Sequence, residues 1–75
     1  MSATPYRNQN PRIGDLLEQF GASNRTKNVL WQFRMKGVRW LQKHWPEEKM
    51  RKRLPGYGPD TSAEWNAILK RRGCL

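Results

Sequence analysis

Apolar residues recur along this chain at intervals of three and four, the period of helices rather than strands. Ile13, Leu16, Leu17 and Phe20 share one face of a first helix. Asp15 lies in its first turn, where a negative charge suits the helix dipole, and Gly21 ends it. Ser23 or Asn24 caps a second helix, predicted from Arg25 to about Trp45 and closed by Pro46. Its apolar stripe is Leu30, Phe33, Gly37, Leu41 and Trp45, widened by Val29 and Trp40. Gly37 either admits another helix closely or divides the segment into Arg25–Lys36 and Val38–Trp45. A break or kink is the better reading, because glycine inside a helix costs about 1 kcal/mol relative to alanine. Pro46, at the first helical position, and Glu47-Glu48 open a short helix that buries Met50 and Leu54 and ends on Arg51, Lys52 and Arg53.

A Pro- and Gly-rich turn, residues 55–60, separates that helix from the last one. Thr61 and Glu64 have the spacing of a capping box. Trp65, Ile68 and Leu69 point inward, Lys70-Arg71-Arg72 fill the last turn, and Gly73 stops it. The pattern predicts an all-α fold: a small bundle of three to four short helices in one domain, residues 13–73. Residues 1–12 form an irregular, flexible basic arm, and residues 74–75 a tail.

Composition decides whether such a bundle has a core. Only 36% of the 75 residues are apolar, and the mean hydropathy is −1.01. Four Trp, two Phe and two Tyr offset this, because aromatic side chains bury large areas. Roughly a dozen core side chains result, enough for a small helical unit of marginal stability. No run approaches the roughly 18 apolar residues of a membrane span, and Met1–Arg12 lacks the apolar stretch of a signal peptide. The single cysteine, Cys74, excludes a disulfide framework and suits a reducing compartment. The expected setting is intracellular: cytoplasm, nucleoid or an organelle's matrix.

The net charge of +9 is distributed unevenly. Residues 1–24 hold two bases and two acids, and residues 54–75 three bases and two acids. Residues 25–53 hold ten bases and two acids, so almost the whole excess lies in the middle. A basic stripe along one element is the electrostatic footprint of nucleic-acid binding. On one long helix, Asn28, Gln32, Lys36, Arg39 and Lys43 would form a polar face of amides and cations alone. The candidate contact residues are Asn24, Arg25, Lys27, Asn28, Gln32, Arg34, Lys36, Arg39, Lys43, Arg51, Lys52 and Arg53. Arg7 and Arg12 of the arm can add phosphate contacts. The dipole of the short helix by itself accounts for Glu47-Glu48 at its start and Arg51–Arg53 at its end.

Catalysis finds no support. His44 and Cys74 are thirty positions apart, and the acids are single apart from Glu47-Glu48. Gly56 and Gly58 lie between prolines, without the strand and Lys of a phosphate-binding loop. No set of three or four metal ligands has suitable spacing. The expectation is a binding protein, not an enzyme, with no cofactor and no metal.

Asp15-Leu-Leu-Glu-Gln-Phe-Gly-Ala-Ser-Asn-Arg-Thr-Lys-Asn-Val-Leu30 resembles a helix-turn-helix motif, over about a fifth of the chain. Gly21 and Ser23 suit its turn, Thr26 a position that faces the DNA backbone, and Leu30 a packing position. Leu17 and Lys27 depart from the pattern, which places a smaller residue and a buried aliphatic there. The resemblance implies a regulatory DNA-binding protein, with Asn24, Arg25, Lys27 and Asn28 facing base edges and dimerisation a natural accompaniment. The same residues fit an RNA-associated component of a ribosome or similar assembly, with Trp31 stacking on unpaired bases. They also fit a protein-binding inhibitor or an accessory subunit of a larger complex.

Overall fold

The computed structural model describes residues 10–74. Among them all regular structure is helical, apart from one isolated antiparallel bridge between Arg12 and Gly37. The helices are α1 (Ile13–Gln19), α2 (Asn24–Leu30), α3 (Val38–His44), α4 (Glu47–Arg53) and α5 (Pro59–Arg72), with a 3-10 turn, Trp31–Phe33, after α2. There are thus five α-helices among the described residues rather than three to four. Fifteen apolar residues are buried in one cluster, to which every helix contributes. Trp65 lies among them at 1% exposure, and Phe33 packs between Trp40 and Trp45 at centroid distances of 5.8 and 5.7 Å. Gly21 and Gly73, both at positive φ, stop α1 and α5 as the sequence predicts.

The long central helix does not form. Its α-helical part ends at Leu30, six residues before the expected break, and the chain then turns until Val38 starts α3. In a continuous helix the carbonyl of Arg34 would accept from Val38. Instead it accepts from the Gly14 N–H at 3.0 Å, and the Lys36 carbonyl accepts from the Ile13 N–H at 2.9 Å. Those are two of the orphan donors at the start of α1. The start of α3 is satisfied in return: the Val38 N–H donates to the Pro11 carbonyl at 2.8 Å, and the Arg39 N–H to Asn10 Oδ1 at 2.9 Å. Segments 10–12 and 34–37 therefore cap each other's helices.

This reciprocity corrects the picture of the arm. Residues 1–9, with Arg7, lie outside the described residues, but Asn10–Arg12 are docked onto the start of α3 rather than free. It also gives both glycines a steric role. A Cβ on Gly37 would stand 2.5 Å from Asn10 Oδ1, and one on Gly14 would stand 2.9 Å from Arg34 Cβ and 3.1 Å from its carbonyl oxygen. Gly37 thus both breaks the helix and admits a close neighbour, a side chain and not a helix.

Two further boundaries differ from expectation. Pro46 is the N-cap of α4, with Glu47 the first helical residue. Helix α5 starts at Pro59 with Gly58 as N-cap, so Thr61 lies inside the first turn and there is no Thr61–Glu64 capping box. The 55–60 turn is anchored by Tyr57, which is buried. Thr61 is also buried, and its hydroxyl has no hydrogen-bond partner among the described residues.

Three substitutions test this account by urea denaturation. Gly14→Ala should destabilise by about 1–3 kcal/mol, because a backbone carbonyl and a Cβ must move, which outweighs alanine's better helix propensity. Gly37→Ala should cost about 1 kcal/mol by displacing the Asn10 cap, and little more in an Asn10→Ala background. Thr61→Val should be neutral or stabilising by up to about 1 kcal/mol, since it removes an unsatisfied buried hydroxyl.

Candidate nucleic-acid interface

Helix α2 carries the most concentrated set of candidate residues, and two hydroxyls and two acids fix its position. Ser23 is its N-cap, with Oγ accepting from the Thr26 N–H at 3.4 Å. Glu64, from the middle of α5, accepts the Ser23 N–H at 2.9 Å and the Ser23 hydroxyl at 2.7 Å, and a very short bond from the Thr26 hydroxyl. In a capping box the carboxylate that closes on the N-cap amide comes from the helix itself; here it comes from 41 residues away. Arg25 adds a 3.1 Å ion pair to Asp60 at the start of α5. Hydrogen bonds from Thr26 and Ser23 hold the Glu64 carboxyl below the usual carboxylate range.

With α2 held this way, Thr26, Val29 and Leu30 are buried. Thr26 therefore faces α5 and not outward. The opposite side exposes Asn24, Arg25 and Asn28, with Lys27 half-buried. The 3-10 turn continues it with exposed Trp31 and Gln32. An open depression of about 560 Å³ gathers Asn24, Lys27, Asn28, Gln32 and Arg34 around Trp31, with Glu18 of α1 on its rim. The Arg34 guanidinium stands 5.5 Å from the centroid of the Trp31 ring and donates to the Trp31 carbonyl at 3.1 Å. Gln32 donates its amide to the Val29 carbonyl at 3.0 Å. A neighbouring depression of about 590 Å³ shares Asn28 and Gln32 and reaches Trp45 and Pro55.

The other candidates are dispersed. Because the chain turns at residues 34–37, Asn28 and Gln32 do not share a helical face with Lys36, Arg39 and Lys43. Lys36 lies 5.1 Å from the centroid of Trp40. Arg39 and Lys43 line a separate depression of about 630 Å³ beside Gly73 and Cys74, where Gln42 donates to the Cys74 carbonyl at 3.2 Å. Arg51 and Lys52 pair with Glu47 and Glu48 one turn earlier, at 2.8 and 3.2 Å, and Arg53 is exposed. Sequence reasoning left out Glu18, which nothing in its spacing linked to α2. It also left out Lys70–Arg72, of which Arg71 stands 5.2 Å from the centroid of Phe20.

Glu47 ties the start of α4 to the turn that follows it and to α5. Its carboxylate accepts from Tyr57 Oη at 2.6 Å, Asn66 Nδ2 at 3.4 Å and Arg51 Nε at 2.8 Å, and a very short bond from the Ser62 hydroxyl. Burial pushes its pKa up, but bonds from Ser62, Tyr57, Arg51 and Asn66 prevail and lower it to about 2. Burial, and then the bond to Glu47, push the Tyr57 hydroxyl up.

Among the described residues, no three His, Cys, Asp or Glu side chains are grouped to hold a metal, and no helix is long and apolar enough to cross a membrane. Compared with models of known protein families, with curated proteins and with solved structures, the chain matches none.

The two carboxylates set the acid response. A folded-state pKa below the ordinary 4.5 stabilises fully above that pH and progressively less as pH falls towards about 2 for Glu47. Glu64 acts in the same direction. Helical circular dichroism followed from pH 6 to 2 should show lost stability across that window. Glu47→Gln should be less stable near neutrality and lose less than the parent between pH 4.5 and 2.

Proposed function

We propose that this protein binds nucleic acid stoichiometrically, without turnover, and that it docks α2 on duplex DNA in the manner of a helix-turn-helix regulator. The observation that carries the reading is the exposed side of α2 and its 3-10 extension. There Asn24, Lys27, Asn28, Gln32 and Arg34 gather in one depression, on a helix pinned from behind by Glu64. Amides and Arg can make the bidentate contacts that discriminate base edges. A fixed helix presents them with little ordering cost. The arrangement of α1, a turn at 20–23 and α2 is compatible with the motif that the sequence resembles.

Affinity comes from the summed charge of +9. Arg39, Lys43 and the cations of α4 and α5 lie outside the central depression, so they supply phosphate attraction rather than base contacts. Arg25 contributes as well, because its pair with Asp60 is exposed (64% and 81%) and such pairs hold their partners weakly. A second reading, RNA association, is favoured by one observation: Trp31 is exposed beside a cation, as in platforms that stack unpaired bases.

Titrating the protein against duplex DNA, single-stranded RNA and structured RNA at two salt concentrations, with tryptophan fluorescence alongside, tests both. Duplex preference, with affinity falling as salt rises, is the expected result. Neutralising Lys36, Arg39 and Lys43 together should weaken binding to all sequences and flatten the salt dependence by about one unit of slope per lost phosphate contact. Asn24→Ala and Asn28→Ala should instead alter which sequences are preferred. RNA preference with strong Trp31 quenching would replace the first reading by the second. Absence of binding at low salt would remove both and leave a protein partner as the ligand.

A further inference from the structure

His44, Trp40, Phe33 and Trp45 form a continuous row of rings. Neighbouring centroids are 4.8, 5.8 and 5.7 Å apart, and the rings are tilted by 37–47°. The turn at 34–37 creates the row. In one long helix Phe33 and Trp40 would stand two turns apart, about 10 Å along the axis, and Trp45 farther still. Phe33 is buried, Trp40 and Trp45 are half-buried, and His44 is exposed.

The charged groups over these indoles are cations. Lys36 Nζ lies 5.1 Å from the Trp40 centroid. Lys49 Nζ lies 4.8 Å from that of Trp45 and donates to the His44 carbonyl at 3.1 Å. All six acids are engaged elsewhere. Glu47, two residues after Trp45, is bound to Tyr57, Ser62, Asn66 and Arg51, and Glu64 to Ser23 and Thr26. Glu48 pairs with Lys52, Asp60 pairs with Arg25, and Asp15 and Glu18 line a depression at the start of α1. Trp31 lines that same depression, so a strand lying on it meets two acids; one lying on Trp40 and Trp45 meets lysines.

We propose that Trp40 and Trp45 are a stacking platform for unpaired bases, with Lys36 and Lys49 on the adjoining phosphates. The site is separate from the depression around Trp31, and it rests on the reading of the protein as a nucleic-acid binder. An arriving base takes the ring face that each lysine covers, and the ammonium moves to the phosphate. The exchange is favourable, because base–indole stacking is stronger than an exposed cation–ring contact. The depression that joins Trp45 to Asn28 and Gln32 connects the platform with the proposed duplex surface of α2. The ligand that fits both is therefore a duplex with a single-stranded extension. An anionic lipid surface is the poorer match, because half-buried indoles offer little apolar area to insert.

The test is the fluorescence anisotropy of labelled ligands at low salt: an oligothymidylate of about ten nucleotides, a blunt duplex, the same duplex with a thymidine extension, and vesicles containing phosphatidylserine. The parent should bind the single strand, and should bind the extended duplex about tenfold more tightly than the blunt one. Trp40→Leu keeps an apolar side chain without a ring. It should weaken single-strand binding about tenfold and abolish the advantage of the extension, with blunt-duplex affinity unchanged. Trp40→Phe restores a ring and should recover most of the loss, with helical circular dichroism confirming that each variant folds. Lys36→Gln combined with Lys49→Gln, on the surface, should lower single-strand affinity and its salt dependence.

A folded Trp40→Leu protein that binds the strand like the parent overturns the platform. If that variant does not fold, unchanged strand affinity in the double lysine variant overturns it instead. A parent that binds the blunt duplex but gains nothing from the extension overturns the platform and leaves the duplex reading intact. Strand binding that depends on Trp40, without duplex binding, supports the platform and removes the duplex reading. Binding to the vesicles in place of the oligomers, or to none of these ligands, overturns both.

Discussion

A seven-residue helix leaves about as many backbone N–H groups unbonded as it bonds, and four of the five α-helices among the described residues are of that length. Satisfying those groups is the constraint on which the rest of the molecule depends. The start of α1 is closed by carbonyls of the turn after α2, and that of α3 by Pro11 and the Asn10 side chain. The start of α2 is closed by Ser23 and, through its N-cap amide, by Glu64 of α5. Few of these partners are local. Apart from the Ser23–Thr26 bond, these capping bonds are therefore also tertiary bonds, and the fold is assembled as much by helix ends as by its cluster of fifteen buried apolar residues.

That origin explains which parts of the fold were legible in the sequence. The helical period of Ile13, Leu16 and Leu17, the stop at Gly21, the cap at Ser23 and the inward faces of α4 and α5 follow from local chemistry, and the structure has them. The end of α2 at Leu30 could not be read locally. Nothing in residues 25–37 announces that the carbonyls of Arg34 and Lys36 serve Gly14 and Ile13. Glu64 misled for a related reason. Three residues after Thr61 it matches a local cap, yet the same carboxylate closes the start of a helix 41 residues earlier. The candidate site divided in the same way: Asn24, Lys27 and Asn28 share one side of α2 as their spacing requires, while Lys36, Arg39 and Lys43 left that surface when the chain turned.

Charge is organised by the same use of carboxylates. With six acids against fifteen bases, anionic groups are scarce, and Glu47 and Glu64 are engaged as hydrogen-bond acceptors within the fold. What remains outside is predominantly cationic. Four aromatic rings have a cation nearby, Trp31, Trp40, Trp45 and Phe20. These contacts are worth roughly 0.5–1 kcal/mol each at exposed sites. They steady long basic side chains without neutralising them, so the field that would attract a polyanion survives folding.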